Sequence, residues 1–260
     1  MLAKVASLTP EEKERGVITV SAGNAAAAVA YACSLHALDC LVVMASTASE
    51  QKIAATRGYG AVVDLGAPTM GEVFERMEEL RRASNRVLVH PFDDPVVIDG
   101  HASLGSEIVE DAPGLDVIVV PVGGGGLVSG VVRGAPGARV VAVEPERTPA
   151  LHAALAAGEP VRVETDSVAD ALAAPIAGEH PLRICAEAGV ESCLVSEDDI
   201  RAGFRFLYAR AKLAAEPGAA AGVGALLAGK VPDVEGKTVV VVVSGGNVAG
   251  EMAAAILRGE

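Results

Sequence analysis

From Val17 onward, short apolar runs rich in valine alternate with longer stretches in which alanine mixes with charged residues. The runs Val17–Val20, Cys40–Met44, Ala61–Leu65 and Arg86–Val89 predict strands, with helices over Asn24–His36, Ser49–Arg57 and Met70–Ala83 between them. A second series predicts strands near Val117–Val120, Arg139–Val143 and Thr238–Val243. Its helices are expected over Leu127–Val132, Pro149–Ala157, Glu197–Lys212, Ala219–Ala228 and Gly250–Leu257. Strand–helix alternation of this kind means parallel sheets joined by right-handed crossovers. Thr9, Pro10 and the pair Glu11-Glu12 add a helix start ahead of the first strand.

The two series are separated by His90-Pro-Phe-Asp-Asp-Pro95 and the segment up to Ile108, where Pro91 and Pro95 are expected to break regular structure. The expectation is an α/β chain of two lobes, 1–107 and 108–260, with parallel or mixed sheets covered by helices on both faces. The stretch Gly158–Pro181 is the least regular and is expected to wrap a surface or line a cleft.

Composition narrows the picture. The 260 residues are 51% hydrophobic, but aromatics make up 3% and tryptophan is absent, so the core must be built of Ala, Val and Leu. Such packing suits helices laid closely on a parallel sheet. A net charge of −13 with no basic cluster longer than Arg81-Arg82 argues against nucleic acid or an anionic membrane as partner. No uncharged stretch approaches the ~20 apolar residues of a membrane helix, and the N-terminus lacks the order of a signal peptide. Cys33, Cys40, Cys185 and Cys193 show no metal-ligand spacing and read as buried thiols of a cytoplasmic protein.

Three strands run into glycine-bearing turns: Val17-Ile-Thr-Val-Ser-Ala-Gly-Asn24, Val117-Ile-Val-Val-Pro-Val-Gly-Gly-Gly-Gly-Leu127 and Thr238-Val-Val-Val-Val-Val-Ser-Gly-Gly-Asn247. In an open parallel sheet such turns lie at the carboxyl ends of strands, where ligands bind. Gly123–Gly126 offers consecutive backbone N–H groups with no Cβ in the way and leads into a helix N-terminus, which makes a phosphate seat. It is neither a dinucleotide-binding nor a Walker fingerprint. Taken alone, Ser21-Ala-Gly-Asn24 also reads as a helix cap, and Ser244-Gly-Gly-Asn247 as a tight turn.

In order and content the chain resembles the pyridoxal-phosphate enzymes of fold type II, in particular the threonine/serine dehydratases and the related serine racemases. The resemblance runs through Ser7-Leu-Thr-Pro-Glu-Glu-Lys-Glu-Arg-Gly16, Ala54-Ala-Thr-Arg-Gly-Tyr-Gly-Ala61, His90-Pro-Phe-Asp-Asp-Pro95 and Pro121-Val-Gly-Gly-Gly-Gly-Leu127. It continues through Val143-Glu-Pro-Glu146, Val168-Ala-Asp170, Val195-Ser-Glu-Asp198, Glu216-Pro-Gly218 and Ser244-Gly-Gly-Asn247. It implies that Gly123, Gly124, Gly125 and Gly126 hold the phosphate of pyridoxal 5′-phosphate and that Asn24 hydrogen-bonds the pyridine 3′-oxygen. Ser244 would face the pyridine nitrogen, while Ser21, Ala22, Gly23 and Asn24 would form the loop that receives the substrate carboxylate. A neutral hydroxyl at the ring nitrogen makes a weaker electron sink than an aspartate would, which favours elimination. The implied reaction is dehydration and deamination of L-threonine or L-serine, by a homodimer that in some relatives also binds a divalent cation.

Several positions depart from the family pattern. Aligned on Ser7-Leu-Thr-Pro, the lysine that forms the Schiff base falls just before Met1, so the chain reads as N-terminally truncated and no catalytic lysine is named within it. Lys4 would sit about two helical turns, on the order of 10 Å, beyond that place. Lys52 begins a helix and has family counterparts that are not catalytic, while Lys13, Lys212, Lys230 and Lys237 read as surface charges. Alanine at position 22 stands where racemases carry a second serine as base, which favours the dehydratase. Ala25 stands in place of a histidine, and His101 in place of a glutamine. The alternative to a lyase is a catalytically silent relative that keeps the phosphate cradle.

Overall fold

The computed structural model describes residues 1–21 and 23–260, which fall into two compact units, Met1–Gly100 and His101–Glu260. Each unit is built on a four-stranded, fully parallel sheet.

The first unit contains α1 (Leu2–Ala6), α2 (Pro10–Arg15), β1 (Val17–Val20), α3 (Asn24–Leu35), β2 (Cys40–Ala45), α4 (Glu50–Gly58), β3 (Val62–Ala67), α5 (Met70–Ser84) and β4 (Val87–Leu88). Its sheet order is β3-β2-β1-β4. Alternate residues on the strands serve opposite faces. Val17, Val42 and Met44 pack with Val29 and Ala30 of α3, Val5 of α1 and Ile53 of α4. Ile18, Val20 and Val43 pack with Val73 and Met77 of α5 on the other face. Each such aliphatic side chain contributes about 1.5–3 kcal/mol when fully buried. The chain therefore walks one way from β1 through β3, returns beneath the sheet, and places β4 on the far side of β1. That reversal makes the β1–β4 boundary a topological switch point. Thr19, fully buried, bridges it by donating its hydroxyl to the Val89 carbonyl at 2.7 Å.

The helix start at Pro10 is a full capping box: Thr9 Oγ1 accepts from the Glu12 N–H at 3.2 Å, and Glu12 accepts from the Thr9 N–H at 2.9 Å. Pro95, expected to break the chain, instead opens the 17-residue helix α6 (Pro95–Asp111). The reason is local. Proline is tolerated in the first turn, and Asp94 caps the helix by accepting from Val96 N–H at 2.8 Å and Val97 N–H at 3.2 Å.

The second unit runs β5 (Val117–Pro121), α7 (Gly126–Gly134), β6 (Arg139–Pro145), α8 (Ala150–Ala157), a 3₁₀ turn at Asp170–Leu172, α9 (Glu179–Glu187), β7 (Glu191–Val195), α10 (Glu197–Phe206), α11 (Pro217–Leu227), β8 (Val239–Val241) and α12 (Gly250–Arg258). Its order, β7-β6-β5-β8, repeats that of the first unit. Ile118, Val120, Val140 and Ala142 face α7, α8 and α9 through Val128, Val131, Leu151 and Leu182. Val117, Val119, Val141 and Val143 face α10 and α11 through Ile200, Ala221 and Ala225. The switch point lies between β5 and β8. Glycines let helix backbones touch, since a Cβ at Gly203 or Gly224 would overlap the backbone of the other helix of the α10–α11 pair.

Besides α1 and α6, two later elements escape the sequence reading. Helix α9 begins inside the stretch expected to be irregular, because Pro181 occupies its first turn. Strand β7, Glu-Ser-Cys-Leu-Val, is an edge strand whose polar first residues hide it among loop-like neighbours. The helix expected over Glu197–Lys212 ends at Phe206 and widens into a π turn over Leu207–Ala211, closed by Lys212 in the left-handed region at φ 58°.

Candidate active site

The second unit gathers two of the three glycine turns at one end of its sheet. Strands β5 and β8 are neighbours in register, Val119 beside Val241, and the Val242 N–H still donates to the Val119 carbonyl at 2.9 Å. Beyond that point β5 opens into Gly123–Gly126 and β8 into Ser244–Gly246, so both turns leave the carboxyl side of the switch point.

Gly124, Gly125 and Gly126 are buried, and Gly123 is half-buried. Among the described residues no backbone carbonyl or side chain accepts from the N–H groups of Gly123, Gly124, Gly125 or Gly126. Buried donors without acceptors are rare and costly, unless a ligand takes them. They lie at the N-terminus of α7, where the helix field favours an anion. Gly125 is the N-cap at φ +93°, and a Cβ there would lie 2.6 Å from Pro181 Cβ. A Cβ at Gly123 would lie 3.2 Å from Leu172 Cα. The irregular segment ahead of α9 thus lies against the cradle, anchored by the Gly178 N–H donating to the Gly124 carbonyl at 3.1 Å. On the helix side, buried Ser129 donates to the Gly125 carbonyl at 2.8 Å. A phosphate with several acceptor oxygens fits this donor set, and a larger side chain at Gly125 does not.

Ser244 is exposed, next to the cradle at the sheet end. Its turn is fixed from below: the Glu216 N–H donates to the Gly245 carbonyl at 3.0 Å, and a Cβ at Gly246 would lie 2.6 Å from the Ala214 carbonyl oxygen.

In the first unit, Ser21, Gly23 and Asn24 follow β1 at its switch point. The Ser21 N–H extends the pairing to the Val43 carbonyl at 3.3 Å, and its hydroxyl accepts from the Gly23 N–H at 3.0 Å. Gly23 is the N-cap of α3 and Asn24 its first residue, exposed. Ala22 lies outside the described residues. Ala25 and His101 are both half-buried on helices.

Sequence reasoning gave no role to the three buried carboxylates, Asp94, Glu144 and Glu216, of which the first two cap helices through their side chains. Asp94, 9% exposed, takes Lys4 Nζ at 2.7 Å as well as the cap N–H groups of α6. Burial raises its carboxyl, but the Lys4 hydrogen bond and the backbone donors outweigh that and hold it below the usual range. Lys4 is therefore no solvated surface charge. Nor are Lys230, which bridges Glu146 and Asp199, and Lys237, which pairs with Asp116, unengaged. Glu144, at the end of β6, is fully buried and accepts from the Leu151 and His152 N–H groups at 2.7 and 2.8 Å. With no cation beside it, burial pushes its carboxyl up to about 7. The signal for both lay in their position, a carboxylate between a strand end and a helix start.

A hollow of about 350 Å³ at the amino ends of β5, β6, β7 and β8 is lined by Asp116, Arg139, Glu191 and Lys237. Its charges satisfy one another, Arg139 with Glu191 at 2.7 Å and Lys237 with Asp116 at 3.2 Å, at the sheet end opposite the cradle. Among the described residues no group of three or more His, Cys, Asp or Glu side chains could hold a metal ion, and no helix is long and apolar enough to cross a membrane.

Fold and site together define a parallel α/β protein of two units with a run of acceptor-less main-chain N–H groups at a switch point. Residues 1–245 match the family described as pyridoxal-phosphate dependent enzyme, and the chain belongs to that family. It is 39% identical over 250 residues to an L-threonine ammonia-lyase of Thermotoga maritima, covering 94% of this chain. The chain spans 62% of the length of that relative. Among solved structures it matches the processed form of threonine deaminase isoform 2 from Solanum lycopersicum with a TM-score of 0.90 and 29% identity, covering 99% of this chain and 77% of that one. Serine racemase from Dictyostelium discoideum matches with a TM-score of 0.86 and 32% identity, over 95% of this chain and 81% of that one.

Proposed function

We propose that this chain forms the body of a lyase that dehydrates and deaminates L-threonine or L-serine to a 2-oxo acid and ammonia, with pyridoxal phosphate as cofactor. The observation that carries the reading is the set of acceptor-less N–H groups at Gly123–Gly126, three of them on buried residues, beside Ser244, in a chain of this family. The bound cofactor supplies an electron sink for negative charge at the substrate α-carbon.

The residues divide the work. Gly123, Gly124, Gly125 and Gly126 bind the phosphate through the main chain. Ser244 gives the ring nitrogen a neutral hydroxyl, which leaves no carboxylate to hold a proton there, and so favours loss of the β-hydroxyl. Asn24 donates to the pyridine 3′-oxygen, and Ser21, Ala22, Gly23 and Asn24 receive the substrate carboxylate at the start of α3. In this reading residues 1–107 form the smaller, substrate-loop lobe and residues 108–260 the larger, phosphate lobe. A homodimer in the cytoplasm, acting on a small hydroxy-amino acid, completes it. No divalent cation is assigned a place.

The test is an assay of the natural gene product saturated with pyridoxal phosphate. Equimolar 2-oxobutanoate and ammonia from L-threonine, or pyruvate and ammonia from L-serine, are expected. Racemised serine without 2-oxo acid, or bound cofactor with no turnover of either substrate, overturns the reading.

A further inference from the structure

Strand β4 ends beside β1. Their pairing, Val17 with Val87 and Ile18 with Leu88, is carried one step further as the Val89 N–H donates to the Ile18 carbonyl at 2.9 Å. The Thr19 hydroxyl then donates to the Val89 carbonyl at 2.7 Å. Paired strands lie about 4.8 Å apart, so His90 leaves the sheet beside the point where Val20 runs into the turn holding Ser21, Gly23 and Asn24.

The turn that follows β4 is built on the half-buried His90 ring. Its Nδ1 accepts from the Asp93 N–H at 2.9 Å and, more loosely, from the Phe92 N–H at 3.4 Å. A main-chain N–H can only donate, so Nδ1 carries no proton and the ring hydrogen sits on Nε2. Phe92 meets the ring edge-on with centroids 4.7 Å apart, and Phe74 of α5 packs on it at 6.1 Å. Pro91 fixes one further torsion, and Asp94 caps α6 and takes Lys4. The result is a stiff turn at the switch point of the first unit, and the phosphate seat gives it no task.

We propose that His90 is a positioning residue of the substrate side: its Nδ1 holds the Pro91–Asp94 turn as the support beside Ser21, Gly23 and Asn24. The substrate part of this assignment rests on the lyase reading, in which that neighbouring turn receives the substrate carboxylate. A protonated ring cannot accept, so acid releases the support. Burial lowers the ring from its ordinary value of 6.5, against the opposite pull of Asp93 and Asp94. Those are the charged groups of its own turn, with Lys4 of α1 on Asp94, while α5 meets the ring with apolar Phe74. The neutral, accepting ring is therefore the state at neutral pH.

Two variants separate the accepting atom from the bulk of the ring. In H90N the side-chain oxygen stands where Nδ1 stood and can accept the same N–H groups, whereas H90A removes the acceptor. Side-chain nitrogen NMR of the protein labelled at its five histidines reads the ring directly. The signal missing from both variants should be an Nε2–H tautomer that gains its second proton only below 6.5. Amide exchange at Gly23 and Asn24 should quicken in H90A and in acidified wild type, and stay near the wild-type rate in H90N. In the natural gene product KM for L-threonine should rise about tenfold in H90A, with kcat within about twofold, and by less than about twofold in H90N. Acid should raise the KM of the wild type but not that of H90N, which has no ring to protonate. An Nδ1–H ring, a pKa at or above 6.5, or an H90N as damaged as H90A would overturn the proposal. The wild-type ring and H90N decide it even where H90A folds poorly. A wild type without turnover overturns the lyase reading, while the ring tautomer and the Gly23 exchange still decide what His90 holds.

Discussion

The two units share one strand order, and at each switch point a glycine turn leaves the carboxyl side of the sheet. What the turns offer differs. In the second unit the donors of Gly123–Gly126 belong to the main chain, and the residues that matter are those with no side chain. In the first unit the turn works through Ser21 and Asn24, with Ser21 spending its hydroxyl on shaping the loop. A main-chain seat suits a ligand common to every catalytic cycle.

The same contrast recurs in two carboxylates. Asp94 and Glu144 each accept from a pair of N–H groups at a helix start. Only Asp94 has a cation, Lys4, at 2.7 Å. Its carboxyl is therefore held low, while burial alone governs Glu144 and pushes it up to about 7. A cap with its own counter-ion stays charged; a cap without one becomes a titrating group.

The largest effect expected to break the comparison is at Gly125. Gly125→Val meets Pro181 and a positive φ, and should weaken pyridoxal phosphate binding by about 100-fold or more while costing about 2–4 kcal/mol of stability. Cofactor titration and urea melts check both.

Next come the carboxylates, measured as urea midpoints from acid to mildly alkaline pH. Asp94, lowered on folding, contributes stability that is present above its unfolded value of about 3.9 and lost as pH falls through the folded one. Glu144, raised on folding, contributes stability that is full below its unfolded value of 4.5 and lost as pH rises through about 7. For Glu144 the rise from 4.5 to about 7 corresponds to on the order of 3 kcal/mol. Asp94→Asn should flatten only the acid side, and Glu144→Gln only the neutral side.

The smallest effect sharpens the distinction between the turns. Asn24→Ala, at an exposed helix start, should leave the melting midpoint within about 0.5 kcal/mol and cost cofactor affinity about tenfold, one hydrogen bond's worth. A stability loss comparable to that of Gly125→Val would erase the difference between a side-chain turn and a main-chain one.

Much of this was legible before any coordinates. Strands such as Val17–Val20 and Val117–Pro121 are buried on both faces, so they read as unbroken apolar runs, and the cradle follows one of them directly. Helix α6 was hidden because Pro95 carries two meanings, a break or a first helical residue, and only the Asp94 cap decides between them. Strand β7 was hidden because Glu191 and Ser192 give an edge strand the look of a loop. The Lys4–Asp94 pair joins elements whose meeting the local pattern cannot announce.

The central claim is that Gly123–Gly126 seats the cofactor through its phosphate. Calorimetric titration of the protein with pyridoxal phosphate, and separately with pyridoxal lacking the phosphate, tests it most directly, with inorganic phosphate as competitor. The account predicts that the phosphorylated form binds at least about 100-fold more tightly, which is 2.7 kcal/mol or more, and that phosphate competes. Equal affinity for the two forms, or indifference to phosphate, would contradict it.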